Sequence, residues 1–415
     1  MKKYLCLVLC LLLILPLFGC GKEPAETTAS TTEPATSQIT DTPDDTTADT
    51  TADTTAAADS DAPLRLPLLA ISMPVIQEDF YSDDDALLFS QIYQDAALIA
   101  PDAEAAEQVV LNLLHQIDLG QSYAQEIHNW AEEYYDPDFW FPYSHQQLYA
   151  PTRLDEKVLS VYGKEIAFSG GVHPNKIGLS ASFDMATGNL LRLEDVLLGS
   201  DAATELSQLI IEDLSANRED YQLYDGYTSI VNERFDGTSD NWKTQPGWYF
   251  SDVGLCIYFS PYDIAPYVSG TILVEIPYPQ LQDILRSDYL PAELPTATGT
   301  VSVALAQDVD LEQYSQFAEA ILNSEGERFV LYSDDLVSNV TLEQGIWSED
   351  GSYFTPVATV FLAHTLCAGD AVIVQDQIPD TLPTLRLIYE SKGETISAYI
   401  TQSGKDGSMI LTDLS

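Results

Sequence analysis

Two alternating stretches, residues 158–168 and 177–184, constrain this chain more than any other feature. In an extended strand successive side chains face opposite sides, so apolar and polar residues taken in turn give one buried and one wet face. Between the stretches lies Ser169-Gly170-Gly171-Val172-His173-Pro174-Asn175. The glycines permit the positive φ of a tight reversal and Pro174 holds His173 extended, so an antiparallel pair is predicted. Asp184-Met185-Ala186-Thr187-Gly188-Asn189 then forms a second tight connection.

The flanking segments fix the fold class. Residues 193–216 carry apolar side chains at helical spacing, 255–260 and 271–276 read as strands, and 278–286 as a short closing helix. Residues 145–290 therefore form an α+β domain, an antiparallel sheet with packed helices. Residues 64–144 read as mostly helical, over 86–99, 103–117 and 122–135, with Asp102 capping the second helix. After a Pro- and Thr-rich boundary at 291–298, residues 299–415 alternate short β-branched and aromatic runs with Gly, Asp and Ser turns. That pattern predicts a mainly β C-terminal domain, a small sandwich or barrel, with one helix at 310–323 before most of its strands.

Export is written at the start. Met1-Lys2-Lys3, an apolar run over 4–18 and Gly19-Cys20-Gly21 have the charged, apolar and small-residue regions of a signal peptide, predicted as residues 1–19. A run of roughly 14 residues makes about 21 Å of helix, short of the ~30 Å hydrocarbon core. Leu17-Phe18-Gly19-Cys20 resembles the lipobox of bacterial lipoproteins, which implies a lipid on Cys20 and a place at the extracytoplasmic face of the bacterial plasma membrane, within the cell-wall zone. Residues 20–63, almost all Thr, Ala, Asp, Ser, Pro and Glu, form no core and read as a disordered tether with a mean reach of roughly 35 Å.

Charge narrows the partners. Against 17 Lys and Arg stand 65 Asp and Glu, a net charge of -48 over 415 residues. Such a surface repels phosphate backbones and anionic headgroups, which excludes nucleic acid, and speeds encounter with cationic proteins. Cys256 and Cys367, the cysteines of the folded part, sit in apolar strand-like surroundings and are expected as buried thiols.

No catalytic or cofactor motif is legible. The zinc His-Glu-x-x-His, the Gly-x-Ser-x-Gly elbow, the phosphate loop and the dinucleotide turn are all missing, so no metal, cofactor or catalytic residue is assigned and the chain is expected not to be an enzyme. His115, His128, His145 and His364 read as packing or surface imidazoles. His173 differs, because its loop can present the ring and the Asn175 amide in a fixed attitude. A second constellation comprises Trp242, Trp248-Tyr249-Phe250 and the run from Tyr258 to Tyr267, which holds Pro261, Tyr262, Pro266 and Tyr267. Trp248 and Phe259 fall in apolar pattern and are expected to seal the sheet, whereas the prolines beside Tyr262 and Tyr267 imply a loop offering rigid contact surface.

These two loops, with Phe183-Asp184-Met185-Ala186-Thr187-Gly188 and Val274-Glu275-Ile276-Pro277-Tyr278, resemble the RsiV-like domain family over residues 158–286. The family's loop reads Gly-Gly-Ala-His-Pro-Asn, so Val172 departs from it. The resemblance implies a domain found in an anti-sigma factor whose extracellular part binds lysozyme and beside a peptidoglycan deacetylase. It implies a partner-binding site at Gly170, Gly171, His173, Pro174, Asn175, Pro261, Tyr262, Pro266 and Tyr267. The leading expectation is capture of a lysozyme-like cationic wall hydrolase or another basic protein. The alternatives are a peptidoglycan-binding module that stacks sugars on Trp248, Tyr262 and Tyr267, and a wall-active hydrolase using His173.

Overall fold

The computed structural model describes residues 65–237, 247–379 and 382–413. The predicted signal peptide, Cys20, the tether through Pro63 and Trp242 lie outside them.

The described chain begins with β1 (Ala70–Ser72), β2 (Val75–Tyr81), β3 (Leu87–Gln94) and β4 (Ala97–Ile99), followed by the long helix α1 (Ala103–Tyr134). Next come β5 (Tyr143–Leu154), β6 (Val158–Phe168) and β7 (Asn175–Asp184), then the helices α2 (Leu193–Val196), α3 (Ser200–Ala216), α4 (Arg218–Tyr221) and α5 (Tyr227–Arg234). A three-stranded sheet follows, of β8 (Gly247–Phe250), β9 (Gly254–Phe259) and β10 (Ile272–Pro277). The last stretch is β11 (Val301–Leu305), β12 (Gln316–Ile321), β13 (Glu327–Ser333), β14 (Val337–Trp347), β15 (Phe354–Leu366), β16 (Asp370–Asp376), β17 (Leu385–Ser391), β18 (Glu394–Gln402) and β19 (Met409–Thr412). The architecture is α+β with mostly antiparallel sheets.

The predicted alternating pair is β6 and β7, with Val158 opposite Asp184 and Ala167 opposite Asn175. They are the last two strands of a five-stranded sheet ordered β2-β3-β5-β6-β7. Helix α1 lies on that sheet through Val109, Leu113, Ile117, Gly120, Ala124, Ile127 and Ala131, a stripe at three- and four-residue spacing. Asp102 caps it, its carboxylate accepting from the Glu104 and Ala105 amides at 3.1 Å. The helix runs unbroken where two were expected, with Gly120 on its inward stripe against the Gln147 side chain. Helices α3 and α5 pack with the three-stranded sheet in a core that includes Leu206, Ile210, Val231, Phe250, Ile257 and Val274.

Three expectations fail. Residues 86–99 form β3 and β4 rather than a helix, since pairing with β2 and β5 decides the state of an apolar run readable either way. Residues 310–323 form a 3-10 turn, Leu311–Gln313, and then β12, whose Ala318 and Ala320 are buried while Phe317 and Ile321 face out. A strand parallel to β16 overrides the helical spacing there. Residues 278–286 make one 3-10 turn, Tyr278–Gln280, and a bridge of Leu285 to Leu197.

The C-terminal strands form a sandwich of a four-stranded sheet, β11-β13-β16-β12, on a seven-stranded sheet, β19-β18-β17-β14-β15-β1-β4. Phe329, Leu331, Val372 and Val374 of the first share a core with Val340, Leu342, Val360 and Leu387 of the second. Strands β1 and β4 come from the predicted helical region, so residues 64–144 supply strands to two sheets as well as α1.

Candidate functional site

Strand directions gather several loops at one sheet edge. Strand β2 ends and β3 begins there, Tyr81 pairing with Leu87. Strand β5 starts at the same edge because it runs parallel to β3, with Tyr143 beside Phe89. Strand β6 ends there opposite Ser144, and β7 starts there. Residues 82–86, 135–142 and 169–174 are thereby neighbours, although they lie far apart in the chain.

Gly170 and Gly171 take φ of 92° and 95°, the left-handed region that a side chain would disfavour. They carry Val172 and His173 into solvent. The His173 ring stacks on Tyr267 at 4.2 Å between centroids, and Tyr262 packs against the same Tyr267 at 5.6 Å. The Tyr267 hydroxyl donates to the Pro174 carbonyl at 2.9 Å, and His173 Nδ1 lies 3.0 Å from that oxygen. Burial and the neighbouring Tyr262 raise the pKa of the Tyr267 phenol, so at neutral pH it keeps the proton it donates. Lys176 Nζ sits 5.9 Å from the Tyr267 ring centre.

The aromatic segment is held as firmly. Ser260, Pro261, Tyr262 and Asp263 form a turn closed by the Asp263 amide on the Ser260 carbonyl at 3.0 Å. With Pro261 second and Tyr262 third at φ 75°, it has the pattern of a type II turn, whose third position favours glycine. Asp263 fixes it, accepting from the Ser260 amide at 2.8 Å and from Arg234 Nη1 at 3.0 Å. Ser260 Oγ in turn accepts from the Gly178 amide on β7, which ties this turn to the sheet edge. Gly178 is required there, since a Cβ would meet the Tyr258 ring at 2.5 Å.

The two predicted loops therefore meet. Tyr262 is 59% exposed, Tyr267, Pro174, Pro261 and Pro266 are half-buried, and Asn175 is exposed where it opens β7. Trp248 and Phe259 are buried beneath the helices, as their apolar setting predicted. Cys256 and Cys367 are buried free thiols, and desolvation pushes Cys256 up to about 12.

Sequence reasoning missed a third member of the edge. In residues 136–142 Phe139 and Phe141 are 83% and 66% exposed, while Trp140 between them turns inward and donates Nε1–H to the Leu87 carbonyl at 2.8 Å. Aromatics beside Pro137 and Pro142 were a signal of the kind recognised in the segment up to Tyr267. Tyr143 joins this loop to the glycine turn: its ring meets Phe168 edge-on at 6.3 Å, and its hydroxyl would lie 3.3 Å from a Cβ on Gly170.

Two hollows lie away from these loops, one between β4 and α1 and one between the five-stranded sheet and β15. Among the described residues no group of three or more His, Cys, Asp or Glu is placed to hold a metal ion.

The chain is similar to two solved structures. One is a DUF3298 family member from Bacteroides fragilis, 15% identical, with a TM-score of 0.38 over 53% of this chain and 94% of that one. The other is a DUF3298 family protein from Pseudomonas aeruginosa, 16% identical, with a TM-score of 0.38 over 54% of this chain and 98% of that one. No curated protein matches. Residues 194–279, which include the aromatic turn but not the His173 loop, match the family model described as a protein of unknown function, DUF3298.

Proposed function

We propose that this chain is an RsiV-like, lipid-anchored binding protein of the cell envelope that captures a lysozyme-like cationic wall hydrolase, or another basic protein, at the loop edge. One observation carries the reading. Tyr262 is kept at a φ that costs a non-glycine residue on the order of 1 kcal/mol, and its ring is held out in solvent beside Tyr267 and His173. A tyrosine retained against backbone preference is worth its cost when the ring itself makes contact. The net charge of -48 favours encounter with a basic partner, an attraction that weakens as salt shortens the screening length below ~10 Å.

The test is Tyr262→Gly, with immobilised lysozyme as the partner. Glycine suits the turn, so the fold should stay within ~1 kcal/mol of the parent while capture weakens by ~1–3 kcal/mol. Retention of lysozyme by the unaltered chain, reduced by the substitution and by high salt, is the expected result. No retention at any salt, or unchanged retention by Tyr262→Gly, sinks the reading.

A further inference from the structure

The loop of residues 136–142 has two properties that the His173 and Tyr262 loops lack: a pair of outward phenylalanines and exposed carboxylates on both sides of them. Its mounting is rigid. The Phe139 amide bonds the Asp136 carbonyl at 3.1 Å, the Asp138 amide bonds Asp136 Oδ1 at 3.0 Å, and Trp140 packs between Tyr135 and Tyr143 at 5.5 and 4.8 Å. Phe139 and Phe141 thus stand in water on a fixed base, so little ordering entropy opposes their docking. Exposed Asp136 and Asp138 lie within the loop, and Glu132 and Glu133 end the helix before it. Asp83, Asp84 and Asp85, also exposed, approach from the β2–β3 turn, with Asp84 held by the Tyr135 hydroxyl at 3.0 Å. Hydrogen bonds from Ser82 and Tyr135 hold the Asp84 carboxyl below the usual carboxylate range. The C-terminal end of α1 adds its negative pole, with no basic residue in the last turn. No Lys or Arg occurs between Arg65 and Arg153, so this segment supplies no cation of its own.

We infer that Phe139 and Phe141 form a second docking arm, which takes a basic amphipathic segment of a partner protein: apolar side chains on the two rings, Lys or Arg on the carboxylates around them. An anionic membrane is the wrong occupant, because the same carboxylates repel it. The arm adjoins the proposed capture surface and rests on that reading for which protein brings the segment, but not for the chemistry of the segment.

The experiment uses the purified full chain and a synthetic amphipathic peptide of Lys and Leu, followed by fluorescence anisotropy at low salt. Phe139→Ser with Phe141→Ser is expected to weaken binding at least ~10-fold, with an unchanged thermal melt since both rings are exposed. Asp136→Asn with Asp138→Asn is expected to weaken it and to flatten its salt dependence. A Glu and Leu peptide and an all-Lys peptide should each bind at least ~10-fold more weakly than the Lys and Leu peptide. Tyr262→Gly should bind the peptide like the parent, and a parent chain that binds the peptide but retains no lysozyme at any salt removes the proposed function while supporting this arm. Equal binding by the double serine variant overturns the inference, as does equal binding of the Glu and Leu peptide, absence of peptide binding by the parent, or capture of phosphatidylglycerol vesicles through the two phenylalanines.

Discussion

Arg153→Met is expected to destabilise the fold by ~3–5 kcal/mol, the cost of leaving one member of a buried ion pair without the other. Arg153 is 2% exposed. Its Nε donates to Asp155 Oδ2 at 2.8 Å, and Nη2 lies 2.6 Å from the same oxygen. Nη1 donates to the Tyr278 hydroxyl at 2.8 Å and to the Tyr289 carbonyl at 2.7 Å, while the guanidinium lies 5.1 Å from the Phe250 ring centre. One side chain on β5 thereby clamps the segment that follows β10. Methionine fills similar volume, so the loss measures charge and hydrogen bonds more than packing. Asp155→Asn in the same chain should recover part of it, because Asn removes the orphaned charge yet keeps an acceptor for the Lys157 and Val158 amides. Urea unfolding measures both. A loss below ~1 kcal/mol for the single variant would show that the pair contributes little.

Asp376→Asn is expected to stabilise the protein at neutral pH by about 1–3 kcal/mol and to leave it unchanged in acid. The carboxyl is 4% exposed, its Oδ2 has no hydrogen-bond partner, and desolvation pushes it up to about 6 against only a backbone hydrogen bond from Gln377. An unfolded chain ionises this group near 3.8. Between the two values the native state holds a proton that the unfolded state has released, so unfolding free energy falls as pH rises through that window and stays reduced above it. Asn cannot ionise, and the lower end of the range allows for its own unpaired amide. Thermal melts at pH 4 and 7.5 decide the matter: a gain absent at 7.5, or equal at both, refutes the assignment.

What the sequence disclosed follows from what is local. Strands β6, β7, β9 and β10 were legible because one face of each meets a core, and the turn at Gly170 and Gly171 because backbone sterics demand glycine there. Strand β3 was not legible, since its neighbour β5 lies beyond α1 and no local signal announces a parallel partner. Gln316 to Ile321 misled for a like reason: its mate is β16. At the site, Pro and Gly marked both loops, but their meeting through Tyr267 and Pro174, 93 residues apart, is a property of the fold. Phe139 and Phe141 carry a like signal in Pro137 and Pro142, but their exposure is set by the neighbouring strands that leave the run outside.

Strand β1 also bears on the order of assembly. It lies between β4 and β15, with Ala70 opposite both Ile99 and Ala363. During synthesis nearly three hundred residues must emerge before β1 gains its second neighbour, so the seven-stranded sheet can close only after β15 is available. A stop codon or protease cut before β15 would leave Ala70–Ser72 with an open hydrogen-bonding edge, a template for pairing with other chains. Early termination should therefore yield aggregates rather than a smaller working molecule.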